Sequence, residues 1–447
     1  MRSMNKLPHL ALVAVALLGT AAIAAAAPPE AVDCHVGLYR FADGRTIDLG
    51  PSDKGKLRWR RPDGTSGVFA LEGPQAGVSL LGWTERPDGL RVSLPDCAKN
   101  EIDLGGERAH RVSLAVRETR FRSDGVEFAG RLVLPAGTGR VPIVVLLHGS
   151  EHEGALELNS LQRRFPAEGI GAFVYDKRGT GTSGGKYTQD FDQLARDAVA
   201  ALREARRLAG ARAGRIGYQG PSEGGWVAPI AANLAPVDFV VVGFGLAVSV
   251  LEEDREAVAM NIATKGHGAQ AMADAMRLTD AVGALVMNPV PEVFDRFDAV
   301  RAGVREAPWF KDVHGDFSFF ILPLKKEQLA TMAKEMDWGT PWLYDPMVTL
   351  ARVKAPQLWI LAQDDLDAPS AETARRLAQL RMAGRPIATA IYPHTEHGIY
   401  EYETTAEGER LSTRNPDGYL QLMVDFARGT PLQARYGSAP VALPGSP

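Results

Sequence analysis

From about residue 118 onward, continuous apolar runs alternate with stretches whose apolar residues recur at helical spacing. Residues 141–147 are apolar almost throughout, as a strand buried on both faces must be. Residues 156–168 predict a helix and residues 171–175 the next strand. Phe191, Leu194, Ala198, Leu202, Ala205 and Leu208 fall three or four apart, which predicts a long helix lying on a sheet. Strands follow at 215–218 and 239–244; the rhythm then stops and resumes at 357–361 and 387–392. Ahead of this series, residues 120–135 predict a hairpin turning at Asp124-Gly125. Strands alternating with helices argue for an α/β protein with a mostly parallel sheet and helices on both faces.

Residues 28–117 follow another rhythm. Apolar and polar residues alternate at 36–41 and 57–60, with turn signals at Asp43-Gly44, Arg61-Pro62-Asp63-Gly64 and Arg86-Pro87-Asp88-Gly89. Two of these follow Trp59 and Trp83, which predicts two similar hairpins in a small β-rich lead domain. It carries no catalytic constellation, so docking on the main domain is its expected role. Residues 1–27 have the form of an export signal: Arg2 and Lys6, an apolar run over 10–23, then four alanines. The expected division is therefore 1–27 signal peptide, 28–117 β-rich domain, 118–245 first part of the α/β core, 246–353 helical insertion, 354–430 second part of the core and 431–447 tail.

Export changes the reading of the cysteines. Cys34 and Cys97 are the only two, and an even pair in an oxidising compartment predicts one disulfide. The protein is expected in the periplasm or outside the cell, with no stable membrane span once the signal is removed, because no later apolar run is long enough. Apolar residues make up 45% and charged ones 23%, and net charge is −4, so no basic field invites nucleic acid.

The candidate chemistry starts at Gly220-Pro221-Ser222-Glu223-Gly224, which follows a strand and opens a helix. A G-x-S-x-G run there is a nucleophile elbow: a sharp turn exposes the hydroxyl, and its neighbours two residues away must lack a Cβ. Such a run also occurs in surface loops, so its setting decides its meaning. Here a strand ending in Asp364-Asp365-Leu366-Asp367 and a later one ending in His394-Thr395-Glu396-His397-Gly398 supply an acid and a base in the chain order of a Ser-Asp-His triad.

Over residues 118–428 the chain resembles the α/β-hydrolases, in their branch of bacterial exported esterases and serine-aminopeptidase-like enzymes. The matching pieces are Leu146-Leu147-His148-Gly149-Ser150, Tyr175-Asp176-Lys177-Arg178-Gly179-Thr180-Gly181-Thr182-Ser183, the elbow, the Asp365 turn and His397-Gly398. The resemblance implies an α/β-hydrolase fold. The helical insertion over 246–353 lies outside the matching pieces. From its place above the carboxyl ends of the strands it is expected to be a lid, with a helical subdomain that only stabilises the fold as the alternative. The resemblance further implies Ser222 as nucleophile, His397 as general base, Asp365 as orienting acid, and the backbone N–H groups of Ser150 and Glu223 as oxyanion donors, with no cofactor and no metal. Asp364 and Asp367 compete with Asp365, and His394 with His397. The family's spacing to Pro369 favours Asp365, and the following glycine favours His397. His148 is expected to shape the oxyanion loop, and Asp176 and Arg178 to form a local ion pair. His152 and Glu153 lie near the expected mouth, and Pro221 departs from the family's usual residue before the nucleophile.

Three functions follow from this set. The first is a carboxylesterase acting on a small or medium acyl ester. The second is an exopeptidase acting on a short peptide, with Glu252, Glu253, Asp254 or Glu256 binding a free amine; acids at a helix start also simply complement its dipole. The third is a catalytically silent binding protein on the same scaffold.

Overall fold

The computed structural model describes residues 33–73 and 75–445. The export segment 1–27 lies outside the described residues. The chain forms two compact units. One groups the chain through Arg61 with Thr65–Val112 and Tyr402–Arg414; the other groups Pro62–Gly64, Ser113–Glu401 and Asn415–Pro447.

The first unit is an antiparallel barrel. Strands β1 (Gly37–Phe41), β2 (Thr46–Pro51), β3 (Leu57–Arg60), β4 (Ser66–Leu71), β5 (Ala76–Leu81), β6 (Pro87–Ser93), β7 (Glu101–Leu104) and β8 (Glu107–Arg111) pair in chain order. Tyr39 of β1 then faces Arg111 of β8, which closes the sheet and leaves no free edge. Tyr39, Ile47, Leu49, Trp59, Phe69 and Ile102 fill its interior. The third expected turn is displaced: Pro87, Asp88 and Gly89 lie inside β6, and the chain turns earlier, over residues 82–86. A proline that opens a strand forfeits no ladder bond, so the Pro-Asp-Gly signal misleads there. The two tryptophans are also unlike one another. Trp59 is buried and donates to Ser79 Oγ at 2.7 Å, whereas Trp83 sits in a turn with the Arg58 guanidinium 4.0 Å above its ring.

The second unit holds a ten-stranded sheet. Strands β9 (Ala115–Ser123) and β10 (Val126–Leu134) form the hairpin that Asp124-Gly125 predicts, both turn residues having positive φ as that turn requires. Next come β11 (Val141–Leu146), β12 (Gly171–Tyr175), β13 (Ala213–Pro221), β14 (Phe239–Gly243), β15 (Gln357–Ala362) and β16 (Ile387–Tyr392). In space the parallel strands run β16-β15-β14-β13-β11-β12, and β10 joins β12 antiparallel. Alternate residues serve opposite faces. Ile143 and Val145 join one core with the helix Phe191–Ala209, while Val144 and Leu146 join another with the helix Tyr419–Arg428. That two-sided burial is why the strands read as unbroken apolar runs.

The helix expected over 156–168 is broken. Ala155–Leu158 and Leu161–Ala167 are separate helices, because Asn159 leaves helical geometry and its side chain accepts the Leu161 N–H at 3.0 Å. Between β14 and β15 the chain is helical, with Val250–Thr264, Ala269–Met287 and Pro291–Val304 as its main helices. Their buried Val258, Leu278, Phe294 and Phe297 belong to the same apolar cluster as one face of the sheet. Among the described residues no helix is long and apolar enough to cross a membrane.

A disulfide joins Cys34 to Cys97, 63 positions apart in sequence with Cα atoms 6.0 Å apart. It ties the chain just before β1 to the link between β6 and β7. A loop of that length loses much unfolded-state freedom when closed, so Cys34→Ser/Cys97→Ser should lose about 2–4 kcal/mol of barrel stability. Urea unfolding of the variant beside the oxidised protein reads this loss; equal midpoints would mean the cross-link constrains nothing.

Candidate active site

Ser222 stands between the end of β13 and the helix Gly224–Leu234, with φ +48°. Its N–H donates to Gly243 O at 3.0 Å, tying the turn to the end of the neighbouring β14. Strand and helix approach so closely that a Cβ on Gly220 would lie 2.2 Å from Gly224 O. One on Gly224 would lie 2.9 Å from His148 O. Glycine is therefore a steric necessity at both positions. Pro221 is the last residue of β13 and pairs with Gly243, where its restricted φ suits an extended strand end.

Asp365 and His397 follow β15 and β16, so the three candidate residues emerge at the carboxyl ends of strands in one parallel run. This is the edge at which open α/β sheets hold ligands. The His397 ring points Nδ1 at Asp365, 3.0 Å from Oδ2 and 3.2 Å from Oδ1. Asp365 is fully buried, and its Oδ1 also accepts the N–H groups of Asp367 at 3.1 Å and Ala368 at 2.9 Å. The competing pair is separate: exposed His394 places Nδ1 3.9 Å from Asp364. Asn415 holds the backbone just after His397, donating to the carbonyls of Gly398 at 3.2 Å and Ile399 at 2.8 Å. Phe244, at the end of β14, meets the His397 ring edge-on at 4.8 Å.

Burial by itself would lower the His397 pKa. The Asp365 charge and hydrogen bond, then Asp367 and Asp316, outweigh it and hold the ring at about 9. Asp316 belongs to the helical insertion and hydrogen-bonds to Glu253. Asp316 reaches solvent, yet crowding by protein atoms and the nearby Asp367 push its carboxyl up to about 7. Glu253 is buried, and that burial together with Asp316 pushes its carboxyl well up too. Two other acids of that helix have structural partners. Glu252 completes a capping box with Ser249 and pairs with Arg376 at 2.6 Å. Asp254 accepts the N–H groups of Phe317 at 3.0 Å and Ser318 at 2.8 Å.

Glu223 begins the helix after the turn, with its side chain buried against the equally buried Lys177 at 3.0 Å. Ser150 lies in the loop after β11, where its carbonyl accepts the Tyr187 hydroxyl at 2.7 Å. His148 is buried beneath that loop, its Nε2 2.9 Å from Lys177 N and its Nδ1 3.1 Å from Glu151. His152 is exposed but stacked at 3.7 Å on the Tyr187 ring, with Trp338 of the insertion 5.8 Å away. The expected Asp176–Arg178 pair does not form. Arg178 makes a two-pronged bond to Asp197 at 2.7 and 2.9 Å, while Asp176 accepts the N–H groups of Leu156 at 3.0 Å and Thr182 at 2.8 Å. Both Asp176 oxygens are taken up by backbone N–H groups of its own surroundings, so Arg178 pairs instead with Asp197 on the helix Phe191–Ala209.

Two groups could offer donor atoms to a metal among the described residues: Asp365, Asp367 and His397, and Cys34, His35 and Cys97. In each, the members already engage one another, through the Asp365–His397 hydrogen bond and through the disulfide. Sequence reasoning assigned no role to Lys177, Tyr187, Phe244 or Asp316. Lys177 stands inside a motif quoted for the resemblance, but nothing local tells a buried lysine from an exposed one.

Over residues 140–254 the sequence matches the profile of the family described as serine aminopeptidase, S33. The fold is that of the α/β-hydrolases. Among solved structures, an esterase of Pyrococcus furiosus is 16% identical to this chain, covering 64% of it and 84% of that one, with a TM-score of 0.41. An acylaminoacyl peptidase of Pyrococcus horikoshii is 16% identical, covering 79% of this chain and 52% of its own, with a TM-score of 0.39. A thermophilic esterase from Thermogutta terrifontis is 18% identical, covering 63% and 91%, with a TM-score of 0.36. No curated protein matches the chain.

The acidic surroundings of His397 make a direct prediction. Asp367→Asn removes one of the charges that favour the imidazolium, so the ring pKa should fall from about 9 toward the ordinary value. NMR titration of the ring measures it, and an unchanged midpoint would remove Asp367 from the site's electrostatics.

Proposed function

We propose that this protein is an exported serine hydrolase, a carboxylesterase for small or medium acyl esters. The observation that carries the reading is the His397–Asp365 pair on the strand ends beside the tight turn of Ser222. In this reading Asp365 engages Nδ1, which leaves Nε2 as the basic nitrogen. Ser222 Oγ attacks the ester carbonyl while Nε2 takes its proton, and Asp365 steadies the imidazolium. The N–H groups of Glu223 and Ser150 stabilise the oxyanion. The imidazolium then protonates the departing alcohol, and water releases the acid from the acyl-enzyme by the same route in reverse. The helical segment 246–353 acts as the lid that shapes the acyl site, and residues 1–27 direct export.

A second reading, a serine exopeptidase, has one specific observation behind it. Asp316 of the insertion, bonded to Glu253, acts electrostatically on His397, and a substrate ammonium would be attracted to that pair. The match to the serine aminopeptidase family over 140–254 favours the same reading.

A panel of p-nitrophenyl esters of rising chain length beside aminoacyl-p-nitroanilides separates the two. Ester turnover that Ser222→Ala abolishes supports the esterase; anilide turnover alone would favour the peptidase, and turnover surviving Ser222→Ala would refute both. His397→Ala should cost several orders of magnitude in kcat and His394→Ala little; the reverse would mean the base is misassigned. Only neutral His397 can accept the proton, and its pKa in the free protein is raised to about 9. Hence kcat/KM should climb with pH through the neutral range and level off only above about 9. A plateau already reached at pH 7 would contradict this.

A further inference from the structure

A lysine is seldom fully buried, because its ammonium must exchange water for fixed partners. Lys177, just after β12, is 3% exposed and finds those partners within the protein. Its Nζ donates to Gly149 O at 2.7 Å and to Glu223 Oε1 at 3.0 Å, and lies 4.5 Å from the centre of the Tyr187 ring. Gly149 and Glu223 come from different segments, the loop after β11 and the turn after β13, and both border Ser222. A Cβ built on Gly149 would stand 3.5 Å from the Ser222 Cβ.

The Gly149 carbonyl and the Ser150 N–H belong to one planar trans peptide and point in opposite directions. Gripping the carbonyl therefore aims the N–H. A cation on the oxygen also polarises the amide and strengthens its donor end. The next peptide is held as well, since the Tyr187 hydroxyl donates to Ser150 O at 2.7 Å. Burial, then the nearby Glu223, push that phenol's pKa up, so it remains a donor. On the other side, the residue whose carboxylate Lys177 holds is the one whose own N–H follows the nucleophile.

We propose that Lys177 is the positioning residue of the oxyanion hole, one ammonium that clamps both segments carrying the N–H donors and so sets their spacing and aim beside Ser222. The proposal rests on the reading of Ser222 as nucleophile. The rival account is that Lys177 only neutralises buried Glu223.

The two differ in what a charge-balanced replacement does. The full mature protein, Ser222→Ala, Lys177→Met/Glu223→Gln and Lys177→Arg would be compared in p-nitrophenyl acetate hydrolysis, in the rate of capture by a fluorophosphonate, and in inhibition by a trifluoromethyl ketone. The double variant buries no lone charge, so its melting curve should stay near that of the parent. Its kcat should fall about 10²-fold, the effect of losing one oxyanion donor, with KM little changed. Fluorophosphonate capture and trifluoromethyl ketone affinity should fall alongside, since both create charge on the same oxygen. Parental kcat and capture in the double variant would overturn the proposal in favour of charge balance. Should that variant not fold, Lys177→Arg decides, because it keeps the charge but cannot keep the single-point grip. A tenfold or larger loss of kcat there supports the clamp, and parental kcat overturns it. Failure of the underlying reading looks different: Ser222→Ala would then label and hydrolyse like the parent.

Discussion

The backbone at Ser222 turns from strand to helix in a space that admits no side chain on either flank. Gly220 lies against the Gly224 carbonyl, and Gly224 against the carbonyl of His148. The positive φ of Ser222 stores strain, of order 1–3 kcal/mol at such positions, and the surroundings must hold it in place. They do so from three sides. Trp226, Val227 and Ala228 bury the first turn of the following helix, the Ser222 N–H is fixed to Gly243, and the loop after β11 closes over the top. The loop after β11 can come near enough to bring Gly149 beside Ser222 only because Gly224 has no Cβ.

A second tension is electrostatic. Asp365, Asp367 and Asp316 favour the protonated form of His397, while Asp316 and its partner Glu253 are themselves pushed toward the neutral form. Across the turn the arrangement is the opposite: Lys177 meets Glu223, and the two buried charges cancel. The site thus has an acidic side facing His397 and an internally neutralised side facing the loop after β11. An acid-rich recess of this kind favours the imidazolium in the resting protein, and any charge that enters it changes the basicity of His397.

Much of the fold was legible in the sequence, because burial leaves a local trace. Unbroken apolar runs mark strands covered on both faces, the spacing of Phe191 through Ala205 marks the covering helix, and Asp124-Gly125 marks its hairpin. The misreadings have local causes as well. Asn159 breaks a helix that periodicity alone would continue, and Pro87 opens a strand where Pro-Asp-Gly suggests a turn. Arg178 reaches across to Asp197 instead of its near neighbour Asp176, a choice that depends on where the helix Phe191–Ala209 packs.

By itself the sequence determined the order of elements, the tight turn at Ser222 and the places in the chain where an acid and a base follow strands. Each rests on short-range rules of periodicity, turn sterics and strand ends. Tertiary structure alone decided that His397 turns to Asp365 while His394 faces Asp364, that Glu253 meets Asp316, and that Lys177 joins two loops far apart in the chain. Those outcomes depend on strand order and on what lies within a few ångströms after folding. Hydrogen bonds and charges act over such distances, and spacing along a sequence does not encode them.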